Sequence, residues 1–380
     1  MILPSQRDLF DIPDGVCYLN CAYMSPQLRS VHDAGKQALS TKSHPWTVTS
    51  GDFFDVPEQS RELFASIVGC DANGVAILPS VSYGIAVATA NLHVQRGQSI
   101  VLLDEEFPSN VYPWRELAAR CGAEIFTVPR PPSQDWTPAI LDHIDERTSV
   151  VAVPHCHWTD GSLVDLVRVG ERARAVGAAL VVDATQSLGA HPLDVSRIRP
   201  DFLITAAYKW LLGPYSIGFM YVDEAHWEGT PIEQNWILRA GSEDFARLVD
   251  YQDDFQPGAQ RYDVGERSNF TLLPMANAAM QQVLDWGVDN ISETAGQITN
   301  LIEHRAVEFG IEATPAGLRG RHMVGLHLGP KAPRDLAERL AAKNVFVSVR
   351  GDSVRVSPHL YNTEADVDRL YEVLTKFIRK

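Results

Sequence analysis

Short apolar runs alternate with segments of helical periodicity between about residue 60 and residue 225. Apolar runs this short are typical of strands that are buried on both faces of a sheet. Their alternation with helices indicates βαβ units, and therefore a mostly parallel sheet covered by helices. The predicted strands are 75–78, 99–103, 124–128, 150–153, 179–182, 202–205 and 218–222, and the predicted helices are 84–92, 112–121, 163–176, 273–286 and 364–378.

Two of the apolar stretches end in a charged side chain, AALVVD at Asp183 and DFLITAAYK at Lys209. The carboxyl ends of parallel strands meet at one edge of a sheet, where open α/β folds bind their ligands. A lysine and a carboxylate at that edge suit pyridoxal 5'-phosphate (PLP). The lysine forms a Schiff base with this cofactor, and the aspartate keeps its pyridine nitrogen protonated. A structural salt bridge between the two strand ends is the alternative.

The sequence around each of these residues resembles the class V aminotransferase superfamily, which includes cysteine desulfurases, kynureninases and isopenicillin N epimerase. The motifs are VDATQSLGAHPLDV at 182–195 and AYKWLLGPYSIG at 207–218, and the resemblance extends from Cys17 to Leu374. It implies the fold-type I PLP-dependent transferase fold, with a mostly parallel seven-stranded sheet in a large domain and a smaller α+β C-terminal domain. The implied domains are an N-terminal arm (1–25) that joins the small domain, a large PLP-binding domain (26–255) and a small domain (256–380).

The resemblance also implies which residues hold the cofactor. Val81 and Ser82, at the predicted start of a helix, match the phosphate-binding segment, although a serine there is equally typical of a helix N-cap. The phenol of Tyr208 could donate to the phosphate. Phe107 occupies the position of the ring that stacks on the pyridine, and Gln186 that of the glutamine that contacts the phenolic oxygen in desulfurases.

Further residues are implied as substrate ligands. The segment VRVSPHLYNT at 354–363 resembles the C-terminal family motif, in which an arginine binds the substrate carboxylate, and this indicates Arg355. Arg350 is a second candidate, and an exposed strand arginine without such a role is the alternative for Arg355. Trp158 stands where desulfurases have an asparagine, and it is more similar to kynureninases. Asn269 matches a segment that reaches the partner's cofactor or substrate in a homodimer.

The distribution of cysteines restricts the reaction. A desulfurase needs a nucleophilic cysteine on the loop before the arginine motif, and this chain has no cysteine after Cys156. The resemblance implies an aminotransferase-like reaction on an amino acid, with side-chain cleavage (kynureninase-type or C–S β-lyase) as a close competitor and epimerisation as a further alternative. A nicotinamide-dependent dehydrogenase is disfavoured because no GxGxxG motif follows an early strand. A non-catalytic PLP-binding regulator is disfavoured because the chain has no spare basic domain for DNA.

Composition bounds the partners. The 380 residues carry a net charge of −15, which argues against binding to nucleic acid or to an anionic membrane surface. The five cysteines lack the paired spacing of a metal site, so no metal is expected. The first ten residues lack the pattern of a signal peptide, and no apolar run approaches membrane-spanning length. A cytoplasmic enzyme with a small amino acid substrate is expected.

Overall fold

The computed structural model describes residues 1–329 and 332–378. Its strands are β1 (Cys17–Tyr18), β2 (Val75–Leu78), β3 (Ser99–Leu103), β4 (Glu124–Val128), β5 (Thr148–Pro154), β6 (Ala179–Asp183), β7 (Phe202–Ala206), β8 (Gly218–Val222), β9 (Glu312–Ala313), β10 (Val324–His327), β11 (Val345–Phe346), β12 (Ser348–Arg350) and β13 (Ser353–Val356). Its helices are α1 (Arg29–Ser43), α2 (Asp55–Val68), α3 (Val81–Asn91), α4 (Tyr112–Cys121), α5 (Trp136–Asp142), α6 (Leu166–Ala175), α7 (Val195–Ile198), α8 (Leu272–Trp286), α9 (Val288–Glu308), α10 (Leu336–Ala341) and α11 (Glu364–Leu374).

A seven-stranded sheet forms the centre of the larger part of the molecule, in the order β2-β8-β7-β6-β5-β3-β4. Strand β8 runs antiparallel to both of its neighbours, and the other adjacent pairs are parallel. Both faces of the sheet are buried, since Ile100 and Leu102 of β3 join one apolar cluster while Val101 and Leu103 join another. The predicted mostly parallel seven-stranded sheet is confirmed, with strand ends shifted by at most two residues.

The C-terminal part contains an antiparallel sheet in the order β12-β13-β10-β9, covered by α9 and α11 around a separate apolar cluster. Strand β1 pairs in parallel with β11, and Leu19 belongs to the same cluster, so the N-terminal segment packs on this smaller unit. This is the predicted α+β unit. The boundaries 1–25, 26–255 and 256–380 stay predictions.

Some helices and one connection were not specified by the sequence. Helices α1, α2 and α9 carry no prediction, because their buried residues are sparse or are interrupted by polar ones. The acidic segment 230–262, which has no clear periodicity, contains only short turns of 3-10 helix. Of the residues that the structure describes, none form a helix with both the length and the apolar character needed to cross a bilayer.

Candidate active site

A cavity of about 230 Å³ lies where β3, β5, β6 and β7 end and α3 begins. This is the edge of the sheet at which the sequence predicts a ligand site. The structure brings eight of the predicted residues to the cavity wall, namely Val81, Ser82, Phe107, Trp158, Asp183, Gln186, Tyr208 and Lys209. These residues come from five separate segments of the chain, and the parallel sheet is what brings them together.

Lys209 lies three residues beyond the end of β7, with only 7% of its surface exposed. Burial, and next the charge of Arg355, lower the pKa of its amine to about 7. Its Nζ lies 5.6 Å from the ring centre of Phe107 and 5.6 Å from that of Tyr208. A substantial fraction of the amine is therefore neutral near neutral pH, which is the form that attacks a carbonyl carbon.

Asp183 is the last residue of β6 and is likewise buried. Burial raises the pKa of its carboxyl, and a hydrogen bond from the backbone N–H of Thr185, 2.9 Å from Oδ1, offsets part of this shift. Among the described residues it forms no ion pair with Lys209 within 4.0 Å. The geometry therefore does not support the alternative of a simple salt bridge, and Asp183 can interact with a cationic group of a ligand.

The N-terminus of α3 faces the same cavity. Ser80 caps the helix, because its hydroxyl oxygen accepts from the backbone N–H of Tyr83 at 3.2 Å. The hydroxyl oxygens of Ser80 and Ser82 lie 2.9 Å apart. The first N–H groups of a helix have no acceptor within it, so those of Val81 and Ser82 can bind an anion. The capping and phosphate-binding interpretations are therefore compatible, since different serines carry them.

Glu106 is a second buried carboxyl at this cavity, and the sequence analysis missed it. Its Oε1 accepts from the backbone N–H of Phe107 at 2.6 Å, and its Oε2 accepts from Asn110 Nδ2 at 3.5 Å. Burial, and next the charge of Asp183, raise the pKa of Glu106 to about 8. Glu106 therefore holds its proton at neutral pH and fixes the backbone beside the Phe107 ring. Its position at the end of β3, directly before Phe107, was the available signal.

The amide of Gln186 already has protein partners on both sides. Its Oε1 accepts from Trp210 Nε1 and its Nε2 donates to the carbonyl oxygen of Ala22, each at 3.1 Å. One N–H of this amide remains for a ligand. Gly189 allows Trp210 to approach the turn that carries Gln186. Its φ of +99° suits glycine, and a Cβ there would collide with the carbonyl of Trp210.

Arg355 lies behind Trp158, outside the lining of the cavity. It is 1% exposed, and its Nη1 donates to the carbonyl oxygen of Trp158 at 2.6 Å. Its Nε is buried and has no hydrogen-bond acceptor among the described residues. Burial, and next the charge of Arg350, lower its pKa to about 9. A buried guanidinium with an unused donor suits a carboxylate ligand.

The backbone around the cavity contains left-handed conformations at residues other than glycine. Glu105 has a φ of 55°, Leu212 a φ of 57° and Ser216 a φ of 67°. Glu105 precedes the Glu106–Phe107 turn, and the other two lie in the loop that follows Lys209. Such conformations cost energy and cluster at functional sites, which agrees with a cavity shaped for a ligand.

The family model described as "Aminotransferase class-V" matches residues 25–370. The chain belongs to this family. Members of the family use PLP, and the protein is accordingly a PLP-dependent enzyme. The lysine, the raised-pKa aspartate and the helix N-terminus described above fit the aldehyde, the pyridine nitrogen and the phosphate of this cofactor.

Named relatives within the family differ in activity. The chain is 28% identical to "Uncharacterized aminotransferase YcbU" of Bacillus subtilis, with 94% of this chain and 93% of that protein covered. It is 27% identical to a "Probable cysteine desulfurase" of Methanothermobacter thermautotrophicus, with 83% and 82% covered. A solved structure of a lysine-to-alanine mutant of C-DES, with glycine covalently linked to its PLP cofactor, has a TM-score of 0.89 and 18% identity over 98% of this chain and 99% of that one. This structural likeness shows the fold.

Asn269 is not part of the cavity in this aminotransferase-family chain. It lines a separate cavity of about 450 Å³ between α1 and the start of α8. Its Oδ1 accepts from the backbone N–H groups of Thr271 and Leu272, at 3.2 and 2.8 Å, and so it holds the turn that leads into α8. A contact with a partner's cofactor stays a prediction.

Other cavity residues also escaped the sequence analysis. The Thr185 hydroxyl is buried without a hydrogen-bond partner among the described residues, and it faces the cavity two positions after Asp183. Cys156 also lines the cavity, but its Sγ donates to the carbonyl of Gly161 at 3.3 Å and burial raises its pKa far above the ordinary value. Across residues 1–329 and 332–378, no group of three or more His, Cys, Asp or Glu side chains could hold a metal ion.

Proposed function

We propose that this enzyme transaminates an α-amino acid, with Lys209 as the residue that binds PLP covalently. The observation that carries the proposal is one cavity that contains a lysine of lowered pKa and a buried aspartate, with an unpaired buried arginine behind its wall. These three groups are the ones needed for an aldehyde, a pyridine nitrogen and a substrate carboxylate. The family to which the chain belongs supports the same assignment.

Different residues of the chain would contact different groups of the cofactor. When bound, PLP supplies an aldehyde carbon for amines and a protonated ring that withdraws electrons from the substrate. Asp183 would hold the proton on the ring nitrogen, and Ser82 with the first N–H groups of α3 would bind the phosphate. Phe107 would lie against the ring, Tyr208 would donate to the phosphate, and Gln186 would donate its one free N–H to the phenolic oxygen.

The substrate would be bound and deprotonated by the other groups. Arg355 would bind the α-carboxylate through Nε and its second terminal nitrogen, since Nη1 already holds the carbonyl of Trp158. Trp158 would form the wall beside the substrate. Lys209 would accept the proton from Cα. Because its pKa is about 7, part of its amine is neutral at physiological pH and can accept a proton.

Cysteine desulfuration has no suitable nucleophile here. Cys156 is the cysteine at the cavity, and its raised pKa disfavours the thiolate that would accept sulfur. Side-chain cleavage at a C–S bond needs no such thiol, and it is the second candidate. The named neighbour C-DES, described as a cystine C–S lyase in a complex with cysteine persulfide, favours that alternative.

A homodimer is also proposed, in which Asn269 would contact the cofactor or substrate of the partner subunit. Support comes from the resemblance of the segment around Asn269, and from its position on a cavity that lies apart from the candidate active site. A cytoplasmic location stays a prediction.

A single-turnover reaction would test the reaction type. The holoenzyme is mixed with pooled amino acids, including kynurenine and cysteine conjugates, the cofactor absorbance is followed, and products are identified by mass spectrometry. Transamination predicts conversion of the cofactor to its amine form with one equivalent of a matching 2-oxo acid. Return of the original absorbance with a fragmented substrate, such as released alanine or pyruvate, would instead establish side-chain cleavage.

A further inference from the structure

Two arginines project from the same face of the hairpin formed by β12 and β13. Ser348 lies directly opposite Arg355, and Arg350 lies directly opposite Ser353. Side chains alternate between the two faces of a strand, so Ser348 and Arg350 share a face, and Arg355 lies on that face as well. The two arginines are diagonal neighbours, a separation that long side chains readily span.

Trp158 connects both arginines to the cavity. The guanidinium of Arg355 donates to the carbonyl oxygen of Trp158, while that of Arg350 lies 5.7 Å from the centre of the indole ring. The indole itself lines the cavity and meets the ring of Phe107 edge-on, with the ring centres 5.5 Å apart. Its Nε1 donates to the carbonyl of Glu105 at 2.6 Å, which fixes the plane of the ring. Arg355 therefore contacts the backbone of Trp158, and Arg350 contacts the indole ring of the same residue.

Neither arginine has a carboxylate to balance it among the described residues. Arg350 is half-buried; its Nη1 donates to the carbonyl of Val349, and the phenol of Tyr23 is the acidic group that acts on its charge. The carboxyl groups of the cavity, Asp183 and Glu106, belong to the ends of β6 and β3 and not to this hairpin. Two neighbouring cations without an anion repel each other, and a ligand with two negative groups would relieve that repulsion.

We propose that the substrate carries an anionic group in its side chain, and that Arg350 binds this group while Arg355 binds the α-carboxylate. The inference rests on the proposed function, because it assigns the substrate class of the same site. The class is an α-amino acid with a carboxylate, or an equivalent oxyanion, at the end of its side chain. Trp158 would separate the two anion sites, since one guanidinium contacts its backbone and the other its ring.

Binding of carboxylates without an amino group tests the assignment separately from catalysis. Holoenzyme saturated with PLP is titrated calorimetrically with glutarate and pentanoate, and with succinate and butyrate, pairs that match in chain length. We expect each dicarboxylate to bind about ten-fold more tightly than its monocarboxylate, as for one added charge-assisted contact. In Arg350→Gln the preference should fall below about two-fold, with monocarboxylate affinity little changed, and Arg350→Lys should retain part of the preference.

Arg369→Gln is the matched control, because Arg369 is a partly exposed arginine on α11 that pairs with Glu372. It should keep the full preference. Equal binding of both acids by the wild type, or a preference that survives in Arg350→Gln, would overturn the proposal. Loss of monocarboxylate binding in Arg350→Gln would also overturn it, since Arg350 would then hold the α-carboxylate. Failure of borohydride to trap PLP on Lys209 would instead contradict the proposed function, whatever the carboxylates do.

Discussion

Two groups of arginines in this molecule differ in how their charge is balanced, and each contains a fully buried guanidinium. At the edge of the large sheet, Asp263 accepts from Arg61, from Arg267 and from the backbone N–H of Ile77. Beside the cavity, Arg355 is equally buried, but within the described part of the chain it donates only to the carbonyl of Trp158. The first group has a carboxylate at its centre, and no described carboxylate pairs with the second.

The electrostatics follow from this difference. Burial alone would lower the pKa of Arg61, but Asp263 and Glu58 raise it above its ordinary value. Burial lowers the pKa of Arg355, and the neighbouring Arg350 lowers it further. A buried charge without an oppositely charged partner in the protein is costly, so it is rarely found unless a ligand supplies that partner. The cluster around Asp263 therefore stabilises the structure, whereas the guanidinium groups of Arg350 and Arg355 are available to a ligand.

The largest expected effect comes from Lys209, the buried lysine of the cavity. Lys209→Ala should lower the turnover rate by ~10³-fold or more, because both the covalent attachment and the proton acceptor are lost. Borohydride treatment followed by peptide mass spectrometry should find no trapped cofactor, while the thermal unfolding midpoint stays the same or rises. Lys36→Ala, an exposed lysine on α1, is the control and should behave as wild type. A trapped adduct on another lysine would contradict the assignment.

Asp263→Asn tests the balanced cluster. Two buried guanidinium groups would lose their shared carboxylate, so the free energy of unfolding should fall by ~3–5 kcal/mol. Urea denaturation followed by fluorescence measures this change. Asp250→Asn is the control, because Asp250 pairs with Arg247 at the surface and should contribute at most ~1 kcal/mol. Equal effects of the two substitutions would show that the buried cluster is not structural.

Arg355→Gln should show the opposite profile. We expect KM for the amino acid to rise by a factor equivalent to ~2–5 kcal/mol, roughly 30- to 4,000-fold, because the buried α-carboxylate loses its charge-assisted partner. The free energy of unfolding should change far less than in Asp263→Asn, since no carboxylate is left unpaired. Steady-state kinetics with urea denaturation separate the two quantities. An unchanged KM would move carboxylate binding to another residue, with Arg350 as the first to test.

The sequence alone was sufficient to identify those site residues whose type and position at a strand end indicate their role. Lys209 and Asp183 were identified because each ends an apolar stretch typical of a buried parallel strand, and because the motifs around both resemble the family. Phe107, Trp158 and Gln186 came from family resemblance, and the structure brings all three to the same cavity. Local pattern together with resemblance therefore predicted the lining of the site.

Long-range pairing is what the sequence could not supply. The sequence places Glu106 just after β3, but it does not indicate that the carboxyl becomes buried beside Asp183, because β3 and β6 are separated in the sheet by β5. The register of β12 against β13, which puts Arg350 and Arg355 on one face, is likewise a property of the hairpin. Helix α9 was missed because its buried positions include Ser292, Gly296 and Thr299, which weaken the apolar periodicity.

The smallest effect concerns the pH dependence of cofactor attachment, and it isolates the influence of the unbalanced arginines on Lys209. The pKa of Lys209 is lowered from its usual 10.5 to about 7, so its neutral, reactive amine is gained as the pH rises through 7. Attachment of PLP to the apoprotein, relative to N-acetyl-lysine at each pH, should therefore favour Lys209 by its full margin below pH 7 and by progressively less as the pH rises from 7 towards 10.5. In Arg350→Gln one of the charges that lower this pKa is removed, so the midpoint of the attachment rate against pH should move to higher pH, by well under one unit for a half-buried group.

Arg369→Gln is the control and should leave this midpoint unchanged. Stopped-flow absorbance measures the attachment rate, and a midpoint unaffected by Arg350→Gln would mean that the charge of Arg350 does not contribute to the pKa of Lys209.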